Sequence, residues 1–220
     1  MSNDAERGFW EQNARRYDAS MLLLGGPIPK AAQLTANAVR GAGRVLEVAC
    51  GTGLFTDALA PVVGELVATD YAEAMVQRTQ ARLGDLTNVR FMRRDVMALD
   101  DSDGVFDAVV ASNVLHLLPD LVGGLAAIRR VLRPGGLLIA PTYCHDQTAL
   151  SRLASSVLGV LSLPAHRRFS LDSLVSAIEA ANLTVSQSEL VPGLLPIGFV
   201  LAARPQSGDT TQDDVDAPIV

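Results

Sequence analysis

Apolar positions along this chain switch period several times, and each switch marks an element. Trp10, Ala14, Tyr17 and Met21 recur at helical spacing until Gly25-Gly26-Pro27 interrupts them. A second helical stretch runs from about Ile28 to Arg40 and stops at Gly41-Ala42-Gly43. The short β-branched run from Arg44 to Ala49 then predicts a strand, closed by the glycine turn Cys50-Gly51-Thr52-Gly53, and Leu54 to Val63 returns to helical spacing. Strands are expected at Glu65–Asp70, Asn88–Arg93, Val105–Ala111 and Leu137–Ala140, with helices at Ala72–Leu83 and Leu121–Leu132 between them. The polar loop Asp100–Gly104 and the turn Arg133-Pro134-Gly135-Gly136 punctuate the series. Strand–helix alternation at this spacing means right-handed βαβ units and a doubly wound α/β sheet with helices on both faces.

Two stretches depart from that alternation. About thirty residues separate the fifth strand from the helix Leu171–Ala181, against the roughly 2–6 of an ordinary α/β connection. Leu150, Leu153, Val157 and Val160 put an extra amphipathic helix there, expected to act as a lid over 141–169 and to line an apolar pocket. After Leu183–Ser186 and Pro192-Gly193, the run Gly198–Ala202 follows with no helix between, so these last two strands should form an antiparallel hairpin. The sheet is thus seven-stranded and mostly parallel. The domain spans 44–204, between a helical cap at 1–43 and an acidic tail at 205–220 read as disordered.

Composition narrows the function. The net charge is −6, and Asp209, Asp213, Asp214 and Asp216 lie in a tail with no basic residue, so the body is close to neutral. That balance argues against a nucleic-acid partner. Cys50 and Cys144 are too few for a disulfide framework or a zinc site, so no metal is expected. The start MSNDAERGFW has no apolar core, so no signal peptide is expected there. The apolar runs near 105–118 and 190–203 are broken by polar residues or proline, short of the roughly 20 residues of a membrane span. A cytoplasmic protein, monomer or homodimer, is the expectation.

The glycine turn carries the candidate chemistry. Gly51 and Gly53 let backbone approach a ligand, and the helix after them aims its amides at an anionic group. A dinucleotide fingerprint would need Gly or Ala at position 56, which is Thr, and Glu47 at the strand end would repel a pyrophosphate. A carboxylate there suits a ligand with a cationic amine or sulfonium beside one carboxylate, such as S-adenosyl-L-methionine (SAM). The alternative is that Glu47 is a buried acid satisfied locally.

Val45-Leu46-Glu47-Val48-Ala49-Cys50-Gly51-Thr52-Gly53 resembles the first motif of the Rossmann-like class I SAM-dependent methyltransferases, and the likeness continues over about 44–140. By that resemblance Asp70 takes the ribose hydroxyls, Tyr71 lies along the adenine, and Asp95 and Val96 of Arg94-Asp95-Val96 meet the adenine amine and ring. Phe106 to His116 is similar to the fourth-strand motif, and Leu132 to Gly136 to the turn before strand five. Tyr17-Asp18 resembles a pair that folds the first helix over the cofactor. The cofactor set implied is Tyr17, Glu47, Ala49, Gly51, Gly53, Asp70, Tyr71, Met75, Asp95, Val96 and Asn113. Ala49 departs from the family's frequent glycine and asks for more room near the methionine end.

The acceptor is less legible. Ser112-Asn113-Val114-Leu115 lacks the Asn/Asp-Pro-Pro-Tyr segment of base- and amide-methylating relatives, and two cysteines cannot make the arsenic methyltransferase set. A small, largely apolar molecule methylated at O, N, S or C remains. His116 after the fourth strand and His145 after the fifth are the candidate general bases, against plainer readings as a packed helix-start residue and a solvated loop residue. His166 reads as surface and Cys50 as a small loop filler. Two other functions compete: a binding protein that holds SAM without catalysis, and an oxidoreductase using a nicotinamide cofactor.

Overall fold

The computed structural model describes residues 26–99, 105–159 and 166–206, together with Gly8. Trp10, Tyr17, Asp18, Val160, the loop 100–104 and the tail beyond 206 lie outside the described residues. The remaining pattern becomes regular structure for reasons visible in the strands themselves. Strand β1 (Arg44–Val48) alternates sides: Leu46 and Val48 enter one core, with Val109 and Leu138, while Val45 enters another, with Leu66, Val110 and Phe199. Both faces must therefore be covered. Helix α1 (Ile28–Ala38) and the short α2 (Thr56–Leu59) cover the second, and α4 (Leu121–Val131) and α6 (Leu171–Glu179) the first.

The other strands are β2 (Glu65–Asp70), β3 (Val89–Arg93), β4 (Phe106–Ala111), β5 (Leu132–Ile139), β6 (Thr142–Tyr143), β7 (Thr184–Val191) and β8 (Ile197–Ala203). Helix α3 (Glu73–Leu83) links β2 to β3, and α5 (Ala149–Gly159) follows β6. The sheet runs β3-β2-β1-β4-β5-β8-β6, with β7 on β8; β1 to β5 are parallel and β8 is antiparallel to β5, β6 and β7. The chain leaves β1 toward β2 on one side and returns to β4 on the other, so a crevice opens at the carboxyl ends of β1 and β4.

The doubly wound class and the terminal hairpin are as the pattern predicts. The sheet has eight strands rather than seven because β5 and β6 lie in line along β8, and Pro141, with no N–H to give the ladder, separates them. Strand β5 also starts earlier than expected, at Leu132: Leu132 pairs with Phe106, the turn Arg133–Gly136 bulges out with Gly135 at φ 75°, and pairing resumes at Leu137. Arg204 closes the domain, its Nη1 donating to the carbonyls of Arg129, Arg130 and Leu132 at the end of α4. In α5, Leu150 and Leu153 are 61% and 64% exposed, so these two do not line the apolar pocket expected of the insertion. Among the described residues no helix is long and apolar enough to cross a membrane.

Candidate active site

The crevice is built outward from β1. Ala49, just past the strand, takes φ 54°, a left-handed turn that disfavours a side chain by about 1–2 kcal/mol. Gly51 and Gly53 follow at φ 57° and 84°. The Cys50 amide donates to the Thr69 carbonyl at 2.8 Å and the Gly53 amide to the Cys50 carbonyl at 2.9 Å, so the loop folds tightly against β2. Burial pushes the Cys50 thiol up, which makes it a poor nucleophile and supports its reading as a filler.

Glu47 points to the face covered by α2. It is 1% exposed, and its Oε2 accepts the Thr56 hydroxyl at 2.7 Å. Burial raises its carboxyl to about 8, against the Thr56 hydrogen bond and with the Asp70 charge adding to the rise. The glutamate therefore sits under the loop as a largely neutral group at pH 7, held by the residue that replaces the third glycine of a dinucleotide fingerprint.

Asp70 ends β2 within reach of the loop. Its Oδ2 accepts the Gly51 amide and its Oδ1 the Ala72 amide, both at 2.9 Å. Burial lifts its carboxyl to about 6, opposed by the amides of Ala72, Gly51 and Tyr71. Each carboxylate oxygen keeps a lone pair for a further donor. Tyr71 beside it is half-buried, and Met75 is buried on α3. Asp95, after β3, accepts the Met97 amide at 2.9 Å and starts the 3-10 turn Val96–Ala98; both it and Val96 are half-buried.

Across the crevice, Asn113 takes φ 51° after β4. Its side-chain oxygen accepts the Tyr143 amide at 3.0 Å and its own amide donates to the Pro141 carbonyl at 2.7 Å, tying the end of β4 to β6. That tie brings the two candidate bases together: the His116 and His145 rings lie 5.5 Å apart in an edge-on arrangement, with Tyr143 5.9 Å from His145. Burial, then His145 and Arg167, lower His116 to about 3; burial and Arg168 lower His145. Both imidazoles are neutral at pH 7. Ser112 Oγ, His116 Nδ1 and His145 Nδ1 are buried without a hydrogen-bond partner, as is Thr52 Oγ1 in the glycine loop. Unsatisfied buried polar atoms are rare in folded proteins and gather where a ligand supplies the missing bond. His166 is exposed, as expected, although its amide holds the His116 carbonyl at 3.0 Å.

Sequence reasoning missed three residues that shape the site. Thr56 was weighed only as an absent glycine. Thr79 on α3 is fully buried and donates to the Gly51 carbonyl at 2.6 Å, and Arg82, a turn later, reaches the Thr52 carbonyl at 3.0 Å. One signal existed: Thr79 is a polar residue in the apolar stripe Met75, Val76, Leu83. Among the described residues no group of three or more His, Cys, Asp or Glu could hold a metal ion.

Residues 45–136 match a family described as "Methyltransferase domain". A demethylmenaquinone methyltransferase of Beutenbergia cavernae is 36% identical over 139 residues, 62% of this chain and 57% of its own length. This chain thus spans little more than half of that relative. Solved structures share the fold, two of them as follows. A chain of the complex formed by the Haloferax volcanii Trm112 methyltransferase activator has TM-score 0.75 at 18% identity, over 90% of this chain and 98% of that one. The N-methyltransferase NodS from Bradyrhizobium japonicum, in complex with S-adenosyl-L-homocysteine (SAH), has TM-score 0.64 at 18% identity, over 81% and 86%.

Proposed function

We propose that this protein, whose residues 45–136 match a family described as a methyltransferase domain, moves a methyl group from SAM to a small, largely apolar acceptor. One observation carries the reading: at the switch point of the sheet, a left-handed glycine loop faces a buried aspartate at the end of β2. The residues present fit SAM. Asp70 has spare lone pairs for ribose hydroxyls, Asp95 and Val96 stand at the next strand end for the adenine, and Ala49, Gly51 and Gly53 offer close backbone for the methionine end. Glu47, Tyr71, Met75 and Asn113 border the same loop and strand ends, while Tyr17 belongs to the residues outside the description. SAM supplies, when bound, an activated methyl group on sulfur.

What the chain adds is position, dryness and a place for a proton. His116 is buried and His145 half-buried; both are neutral and adjacent, and each has an Nδ1 without a partner. Either can accept a hydrogen bond from an acceptor O–H or N–H, and His145, the less buried, is the better exit for the proton. The Arg167 and Arg168 charges that help lower the two imidazoles also disfavour an ammonium, so an uncharged acceptor is favoured. The relative named for demethylmenaquinone makes that molecule the first acceptor to try. The protein should act in the cytoplasm as a monomer or homodimer, without nucleic acid. Incubation with methyl-labelled SAM and demethylmenaquinone, with SAH release measured, tests the reading. SAM binding without SAH release for any extract fraction would leave a non-catalytic SAM-binding protein, and binding of NAD in place of SAM would favour an oxidoreductase.

A further inference from the structure

The backs of three consecutive loop peptides are held by one helix. Thr79 Oγ1 donates to the Gly51 carbonyl at 2.6 Å; Arg82 donates through Nη1 to the Thr52 carbonyl at 3.0 Å and through Nη2 to the Gly53 carbonyl at 3.4 Å. Arg82 is steadied from its other side by the Asp57 carboxylate at 3.5 Å. In a trans peptide the N–H points opposite to the C=O. Carbonyls drawn toward α3 therefore turn the amides of Thr52, Gly53 and Leu54 away from it. Thr79 has a second contact: a Cβ on Gly53 would lie 2.7 Å from the Thr79 methyl. Its hydroxyl holds one end of the turn and its methyl packs under the other.

We propose that Thr79 and Arg82 are positioning residues for SAM, locking the glycine loop from behind in its ligand-receiving form. The inference rests on the proposed function, since the loop is taken as the SAM site. A loop already ordered by α3 loses less conformational freedom when the ligand arrives. Removing the brace should therefore weaken binding of SAM and of SAH by the same factor, because the brace touches backbone shared by both complexes and no charge on the ligand. Turnover at saturating SAM should stay near its original value, so the loss appears in KM for SAM rather than in kcat.

The chemistry of Thr79 allows its two contacts to be separated. Thr79→Val keeps the methyl and removes the hydroxyl; Thr79→Ser does the reverse. Arg82→Met keeps the stem, and Arg82→Lys restores one donor. Calorimetry should show SAM and SAH affinity falling about fivefold in Thr79→Val and Arg82→Met, as expected for a hydrogen bond or two lost at a half-exposed site, with Thr79→Ser and Arg82→Lys in between. In the ligand-free protein, amide hydrogen exchange at Thr52 and Leu54 should quicken in the same order. SAM affinity within twofold of the original protein in both severe variants overturns the proposal, and so does a lowered thermal midpoint with unchanged affinity and exchange. If the unaltered protein itself fails to bind SAM, the functional reading falls, while the exchange rates still decide whether α3 sets the loop.

Discussion

The two walls of the crevice satisfy their polar groups differently. On the β1–β2 wall, protein pairs with protein: the Gly51 amide with Asp70, the Gly51 carbonyl with Thr79, Glu47 with Thr56. Among the described residues, the Thr52 hydroxyl is the buried side-chain atom left over in the glycine loop itself. On the β4–β6 wall, Ser112, His116 and His145 each bury a side-chain atom with no partner. Leaving such an atom unpaired costs about 1–3 kcal/mol. A wall that is complete before its ligand arrives suits a ligand that never changes; a wall with open valences suits one that brings its own donors. On the proposed function, the first wall is the socket for the cofactor and the second is the wall that meets the acceptor.

Breaking the socket should give the largest effect. Asp70→Ala removes the proposed ribose acceptor and frees the Gly51 amide, and SAM affinity by calorimetry should fall roughly 100-fold, corresponding to two charge-assisted bonds. An affinity within threefold of the original would mean that the fixed wall is not the SAM wall. The second wall answers to a different reading. His145→Phe should lower the methyl-transfer rate at saturating SAM by about 10- to 100-fold and leave SAM affinity alone; a fall in affinity instead would merge the two walls into one.

Acidity sharpens the contrast further. Asp70 titrates near 6 in the folded protein, and the ribose needs its charged form as acceptor, so SAM affinity should drop roughly fivefold between pH 6 and pH 5. Asp70→Asn should flatten that profile, and a profile equally steep in the variant would assign the titration elsewhere. The same wall also responds in stability. Glu47 is raised from 4.5 to about 8, so the folded state binds more protons than the unfolded one in that window, and stability falls as pH rises through it. Glu47→Gln should raise the thermal midpoint more at pH 8 than at pH 5. The same variant should weaken SAM more than SAH only if the carboxylate reads the ligand's charge from beneath the loop. The smallest effect is expected at Ala49, where Ala49→Gly relieves the left-handed turn but frees the unfolded chain, for a net gain of about 0.5 kcal/mol in denaturant titration.

What could be read from the sequence follows the distance over which each feature is determined. The β1–glycine loop–α2 unit and the acid closing β2 are local patterns; the loop marks the crevice, and the resemblance to the class I methyltransferases points to Asp70 beside it. Thr79 and Arg82 reach the loop from 28 and 30 residues away, and nothing short-range announces that a helix after β2 will turn its polar positions onto that loop. The pairing of His116 with His145 likewise depends on the Asn113 tie across 30 residues. Leu150 and Leu153 show the opposite error: an apolar stripe predicts a helix, but not which side of the molecule its stripe will meet. The eighth strand was hidden for a simpler reason, since two residues carry no period.

The place of β8 in the sheet constrains the order in which this protein can be born. The last strand among the described residues, β8, is inserted between β5 and β7, and Arg204 just after it fastens the end of α4. While a ribosome is still making residues 197–204, the β5 edge with Leu138 and Ile139 has no neighbour, and the carbonyls at the end of α4 have no guanidinium. Until β8 is made, the nascent chain thus exposes an unpaired, apolar strand edge, the kind of surface on which chaperones act and aggregates begin. Its slowest folding step should be the capture of that final strand, whose contacts span the longest loops in the domain.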